Sequence, residues 1–160
     1  MSIRTLFKPE LFNTEDFNKA ISDCSKIYDF LEKNKILLSK FNGNKSLDRE
    51  LLIKDLMIDE LNYEYQKENI FLCESNYRVD FYKDISNHTG VLVEVEGGGT
   101  INNNRATLDW EKTQACNKAS FLINVVPEST IPTILRRYSY KFRNPEYYDK
   151  RVNGLFIIGY

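Results

Sequence analysis

RVDFYKDISNHTGVLVEVEGGG, residues 78 to 99, decides how the rest of the chain is read. It reads as two strands joined by the turn SNHTG, whose residues tolerate tight backbone geometry. Side chains in a strand alternate faces. Tyr77, Val79 and Phe81 therefore alternate with Arg78, Asp80 and Tyr82. In VLVEVE, Val91, Val93 and Val95 point one way, and Leu92, Glu94 and Glu96 the other. The two glutamates are neighbours on one face, about 7 Å apart along the strand. Pairing of the two strands as a hairpin lets Asp80 join them. Carboxylates this close raise one another's pKa and destabilise the fold unless something neutralises them. A divalent cation does so, and hard oxygen ligands suit Mg2+ or Mn2+. A solvated hairpin face gives the same alternation, so both readings stand at this point. Gly97, Gly98 and Gly99 either admit a close approach of a ligand backbone or phosphate, or simply form a turn.

Before the hairpin, residues 1 to 62 read as helical. NTEDFNKAISDCSKIYDFLEKNKILLSKF opens with Asn13 or Thr14 as N-cap, and Phe17, Ile21, Ile27, Phe30 and Leu31 form an apolar stripe. NGNKS breaks it, and LDRELLIKDLMIDELN follows as a second helix. YEYQKENIFLCE reads as a further strand ahead of the hairpin. After the hairpin, INNNRATLDWEKTQACNKA reads as a helix, SFLINVV as a strand stopped by Pro127, STIPTILRRYSYKF as a helix with Pro132 near its start, and GLFIIGY as a closing strand. The order is α-α-β-β-β-α-β-α-β, a mixed α/β domain.

The chain's 160 residues suit a single domain, and 42% hydrophobic with 13% aromatic content excludes a disordered composition. Within residues 1–160 the division expected is a helical part, 1–62, and a core, 63–160. A formal net charge of -1 means that any contact with nucleic acid must use a local patch. Cys24, Cys73 and Cys116 are odd in number and lack C-x-x-C spacing, which argues for a reduced, intracellular protein. His88 is the single histidine, so a His/Cys zinc site is excluded. No apolar run reaches signal-peptide or membrane-span length. The expected location is cytoplasmic, with no membrane contact.

One patch is basic. Between residues 136 and 151, Arg136, Arg137, Lys141, Arg143, Lys150 and Arg151 stand against Glu146 and Asp149, six minus two. Tyr138, Tyr140, Phe142, Tyr147 and Tyr148 are interleaved. This composition suits a nucleic-acid backbone with stacked bases, and equally a helix whose aromatics pack on the domain or on another subunit. Trp110, the only tryptophan, reads as core more readily than as a stacking platform.

VDF, a dozen residues, then VEVE, followed by a helix and a strand ending in Val-Val-Pro, resembles the PD-(D/E)xK nuclease superfamily in its E-x-E variant. The resemblance runs from about residue 77 to 160. Asp80 matches the first acid and Glu94 the second, and Glu96 stands where that family usually has lysine. It implies a restriction-endonuclease-like mixed β-sheet flanked by helices, here with an N-terminal helical region. It further implies a Mg2+-dependent (or Mn2+-dependent) endonuclease acting on DNA, of restriction or phage-defence type, and working as a homodimer because two sites cut two strands. By that analogy Asp80 and Glu94 hold the metal with the Val95 carbonyl, and Glu96 orients or deprotonates water. Lys112 contacts phosphate or the departing oxygen, and Arg136, Arg137, Lys141 and Arg143 meet nucleic acid. Beside this stand plainer readings. Lys112 forms a surface ion pair with Asp109 three residues earlier, or is simply a solvated lysine. A catalytically inactive nuclease-fold module for nucleic-acid binding or protein interaction is the alternative for the whole chain.

Overall fold

A computed structural model of the chain describes residues 1–41, 46–65, 78–87, 89–97, 105–116, 119–143 and 152–160. Its frame is a six-stranded mixed sheet. The central strands are β4 (Thr89–Val95), β5 (Ala119–Val126) and β6 (Gly154–Gly159). They run parallel to one another, with β5 in the middle. Their near-continuous apolar sequences are those of strands covered on both faces. Three antiparallel strands flank them: β3 (Phe81–Ser86) beside β4, β2 (Glu64–Tyr65) beside β3, and β1 (Ser2–Phe7) beside β6.

Two crossovers build the parallel part. β4 reaches β5 through α4 (Arg105–Ala115), and β5 reaches β6 through α5 (Ile131–Arg143). Both crossovers step the same way across the sheet. The right-handed rule for such connections therefore puts both helices on one face. There Trp110, Ile134, Tyr138 and Phe142 pack on Leu92, Leu122, Leu155 and Ile157. The opposite face is covered by α1 (Glu15–Lys33), with α2 (Lys35–Lys40) and α3 (Ser46–Asp55) following. The last turn of α3 continues as a π-helix, Leu56–Glu60. Phe17, Ala20, Cys24, Ile27, Leu31, Ile53 and Met57 meet Phe81, Val91, Val93, Phe121, Ile123 and Phe156 there. The Thr14 side chain caps α1 by accepting from the Phe17 N–H.

The structure corrects the expected all-helical segment 1–62. Residues 2–7 form an edge strand paired in register with the other end of the chain, Ser2 against Gly159 through Phe7 against Gly154. SIRTLF shows no period-two alternation and is half-buried along most of its length, so its pattern does not announce a strand. The first hairpin strand also starts later than expected. Val79 lies among the residues under α4 and α5, whereas Phe81 lies under α1, because residues 78–80 precede β3 and do not share its alternation. Of the expected YEYQKENIFLCE strand, Glu64 and Tyr65 are paired, and residues 66–77 lie outside the described residues. Cys73, His88, Gly98, Gly99, Glu146, Tyr147, Tyr148, Asp149, Lys150 and Arg151 also lie outside them. No helix among the described residues is long and apolar enough to cross a membrane.

Candidate functional site

Alternation along β4 puts Leu92 and Glu94 on the face covered by α4, with Glu96 just beyond the strand end. α4 then presents Asp109 and Lys112 to the same place. One carboxylate oxygen from each of Glu94, Glu96 and Asp109 lies within 4.8 Å of the others. Among the described residues no other three metal-ligating side chains gather in this way. All three acids are buried, with Asp109 fully inaccessible. Lys112 Nζ donates to Glu94 Oε1 at 2.9 Å and lies 3.3 Å from Asp109 Oδ1.

Asp80 sits immediately before β3, beside this group. Its Oδ2 accepts the Val95 N–H at 2.8 Å, which ties the hairpin together at the level of the acids. Val95 itself turns its side chain into the apolar core under α1. Glu96 is held through its backbone on both sides. Its N–H donates to the Val125 carbonyl at 2.8 Å, and its carbonyl accepts the Tyr160 hydroxyl at 2.6 Å. On β5, Asn124 is the Cα partner of Glu94, so it lies on the neighbouring strand and the same face. It is buried, and its Oδ1 has no hydrogen-bond donor.

The charges explain one another. Burial, then the charges of Asp109 and Asp80, push the Glu94 carboxyl well above the usual range, against the pull of Lys112. Burial pushes Asp109 up to about 7; Lys112 opposes this, while Glu96 and Asp80 add to it. Burial alone would lower the Lys112 ammonium, but Glu94 and Asp109 overcome it and hold the group charged. Four acids against one lysine give this region a net negative charge when all are ionised, which attracts a cation.

No family model, curated protein or solved structure matches this chain.

The residues that sequence reasoning placed in a site separate in space. Glu94, Glu96 and Lys112 come together, and Asp80 lies alongside, coupled to them through its charge. Asp109 and Lys112 do pair, but in the interior rather than on the surface, where the i, i+3 spacing alone would leave them. Asp109 belongs to the group and Asn124 lies level with Glu94 on the next strand; neither was anticipated there. A single polar residue inside the apolar run SFLINVV was the available signal for Asn124.

The basic residues of α5 divide. The Arg137 guanidinium donates to the Thr107 hydroxyl at 2.9 Å, bracing α5 on α4. Lys141 Nζ lies 5.0 Å from the centroid of the Trp110 ring. Arg136 and Arg143 are exposed on α5. Trp110 is buried, stacked on Tyr138 at 4.9 Å and edge-on to Phe142 at 5.5 Å. Its place is in the core.

Proposed function

We propose that this chain is a divalent-metal-dependent nuclease that hydrolyses phosphodiester bonds in DNA. The observation that carries this reading is the gathering of Glu94, Glu96 and Asp109 oxygens around one point, with Lys112 beside them. Buried acids that repel one another cost stability and are kept where a cation completes them. All-oxygen donors suit Mg2+ or Mn2+. Such an ion supplies a more acidic bound water and a counter-charge for the phosphate. Glu94 would hold such an ion with Asp80 alongside, and Asp80 fixes the β4 backbone through the Val95 N–H. Glu96, anchored by Tyr160 and Val125, accepts a proton from water. Lys112, now paired with Glu94, would be the donor to a phosphate oxygen. The exposed Arg136 and Arg143 meet the DNA backbone. The resemblance to PD-(D/E)xK nucleases supports the same assignment, including action as a cytoplasmic homodimer.

One observation favours a second reading. Lys112 already supplies a counter-charge to Glu94 and Asp109, as it would in a nuclease fold that binds nucleic acid without cutting it. Cleavage decides between them. Supercoiled plasmid and short DNA and RNA strands are incubated with Mg2+, Mn2+ or EDTA, with wild type and Glu94→Ala side by side. Metal-dependent cutting of DNA by wild type alone is the expected result. Binding without cutting by either protein supports the inactive module. Equal cutting by both proteins places the chemistry elsewhere.

A further inference from the structure

The acids of the hairpin leave a cation short of ligands on the side of the sheet facing α4, and two side chains stand ready there. Asp109 is fully buried, and Lys112 is its one close counter-charge, 3.3 Å from Oδ1, while Oδ2 has no donor. A buried carboxylate oxygen without a donor is costly, and native structures rarely keep one without a purpose. Asn124 repeats the pattern independently. It is 1% exposed, sits in the middle of a buried parallel strand and has an unpartnered Oδ1. Its register partner is Glu94, so its side chain emerges one strand over, beneath the helix that carries Asp109. Neighbouring strands are about 4.8 Å apart, within reach of one shared ion.

We infer that Asp109 and Asn124 are metal ligands, so that the cation is held by Glu94, Glu96, Asp109 and the Asn124 amide oxygen. The ligand set is then three carboxylates and one neutral carbonyl, drawn from β4, α4 and β5. Hard divalent ions with oxygen coordination fit it, whereas sulfur- and nitrogen-seeking ions do not. Asp80 is a positioning residue: its Oδ2 is committed to the Val95 N–H. Lys112 is displaced from Asp109 when the ion enters. The inference deepens the nuclease reading and rests on it for the role of the ion, but it concerns binding and is tested as such.

The experiment is titration of the full chain with Mn2+ at pH 7.5, followed by calorimetry and by loss of the free-Mn2+ electron paramagnetic resonance signal. Wild type, Asp109→Asn, Asn124→Leu, Asp80→Asn and Glu94→Gln are compared. Asp109→Asn and Asn124→Leu keep the branching of the native side chain; the first removes a buried charge and the second an unpartnered buried oxygen. Circular dichroism melts verify that each variant folds. The expected result is an affinity loss of about tenfold or more for Asp109→Asn, a smaller loss for Asn124→Leu, and a near-native affinity for Asp80→Asn. Native affinity in both Asp109→Asn and Asn124→Leu, with loss in Asp80→Asn, overturns the inference and returns the ion to the hairpin acids. Absence of Mn2+ binding by wild type overturns the inference and the nuclease reading together. Mn2+ binding with the predicted ranking, but without DNA cleavage, leaves this site standing while the nuclease reading falls. Cleavage with the ranking reversed does the opposite.

Discussion

The two faces of the sheet are made by alternate residues of the same strands, yet they are built to different ends. Under α1 and α3, Val91, Val93, Val95, Phe121, Ile123 and Val125 form an apolar surface, and the acids that border it are partnered, Asp23 by Lys83 at 2.8 Å and Glu50 by the Tyr65 hydroxyl at 2.7 Å. Under α4 the same strands expose Glu94 and Asn124 between Leu92, Leu122 and Val126, and α4 adds Asp109 and Lys112. The first face stabilises by removing apolar area from water. The second sets ionised groups in a low-dielectric interior, where desolvation opposes each charge. The surplus of acids over Lys112 there opposes stability. The charged face is therefore where function is to be sought, and the apolar face is what carries it.

The contrast can be strained at several points. The largest effect on stability belongs to the apolar face. Phe156, inaccessible and in contact with Phe17 and Phe121, anchors α1 to the sheet. Phe156→Ala is expected to lower unfolding free energy by about 3–5 kcal/mol in denaturant titration. A loss under about 1 kcal/mol would mean that this face is not the main source of stability.

The charged face responds to pH instead. Asp109 titrates near 7 when folded against 3.8 for the free side chain, and Glu94 is displaced in the same direction. Between those values the folded state binds more protons than the unfolded state. Stability without metal must therefore fall as pH rises from about 4 to about 7, by up to about 4 kcal/mol. Lys112 is raised, so its contribution is fully present below its unfolded pKa and is constant across this window. Urea unfolding at pH 5 and pH 7.5 in EDTA measures the difference. A curve that rises with pH would contradict the burial of ionised acids.

Next is Lys112→Met, which removes the counter-charge while keeping the stem. It is expected to cost about 3 kcal/mol at pH 8, because Glu94 and Asp109 lose their cation, and clearly less at pH 5. A loss equal at both pH values would show that only packing had been disturbed. The smallest effect is on α5. Arg136 is exposed, so Arg136→Ala should change stability by less than about 0.5 kcal/mol. On the proposed nuclease reading it weakens DNA binding evenly across sequences and reduces the salt-dependence slope by roughly 1 in fluorescence anisotropy. An unchanged slope would remove α5 from the proposed DNA interface.

The charged face was half legible in the sequence. Period-two alternation placed Glu94 and Glu96 together with Leu92, because a one-residue change of register would reverse every side chain of VLVEVE. It could not place Asp109, because a helix spacing says which residues share a side of α4 but not which side meets the sheet. Asn124 was hidden for a related reason. Its neighbour Glu94 lies thirty residues back, and only the parallel pairing of β4 with β5 brings them level. The fold divides similarly. Helices and central strands follow from local periodicity and breakers such as Pro127. β1 does not, since its partner β6 is at the far end of the chain and strand pairing over such a distance leaves no local trace.

The central claim is that the acids under α4 are retained for a cation and not for stability. The most direct measurement is the melting temperature of wild type and Glu94→Gln at pH 7.5, each in EDTA and in saturating Mg2+. In EDTA the variant should melt several degrees higher, because it discards a buried charge that the fold disfavours. In Mg2+ at about a hundredfold above its Kd, wild type should rise by roughly 5–10 °C and overtake the variant, which should hardly move. A wild type that melts above the variant in EDTA and ignores Mg2+ would contradict the account.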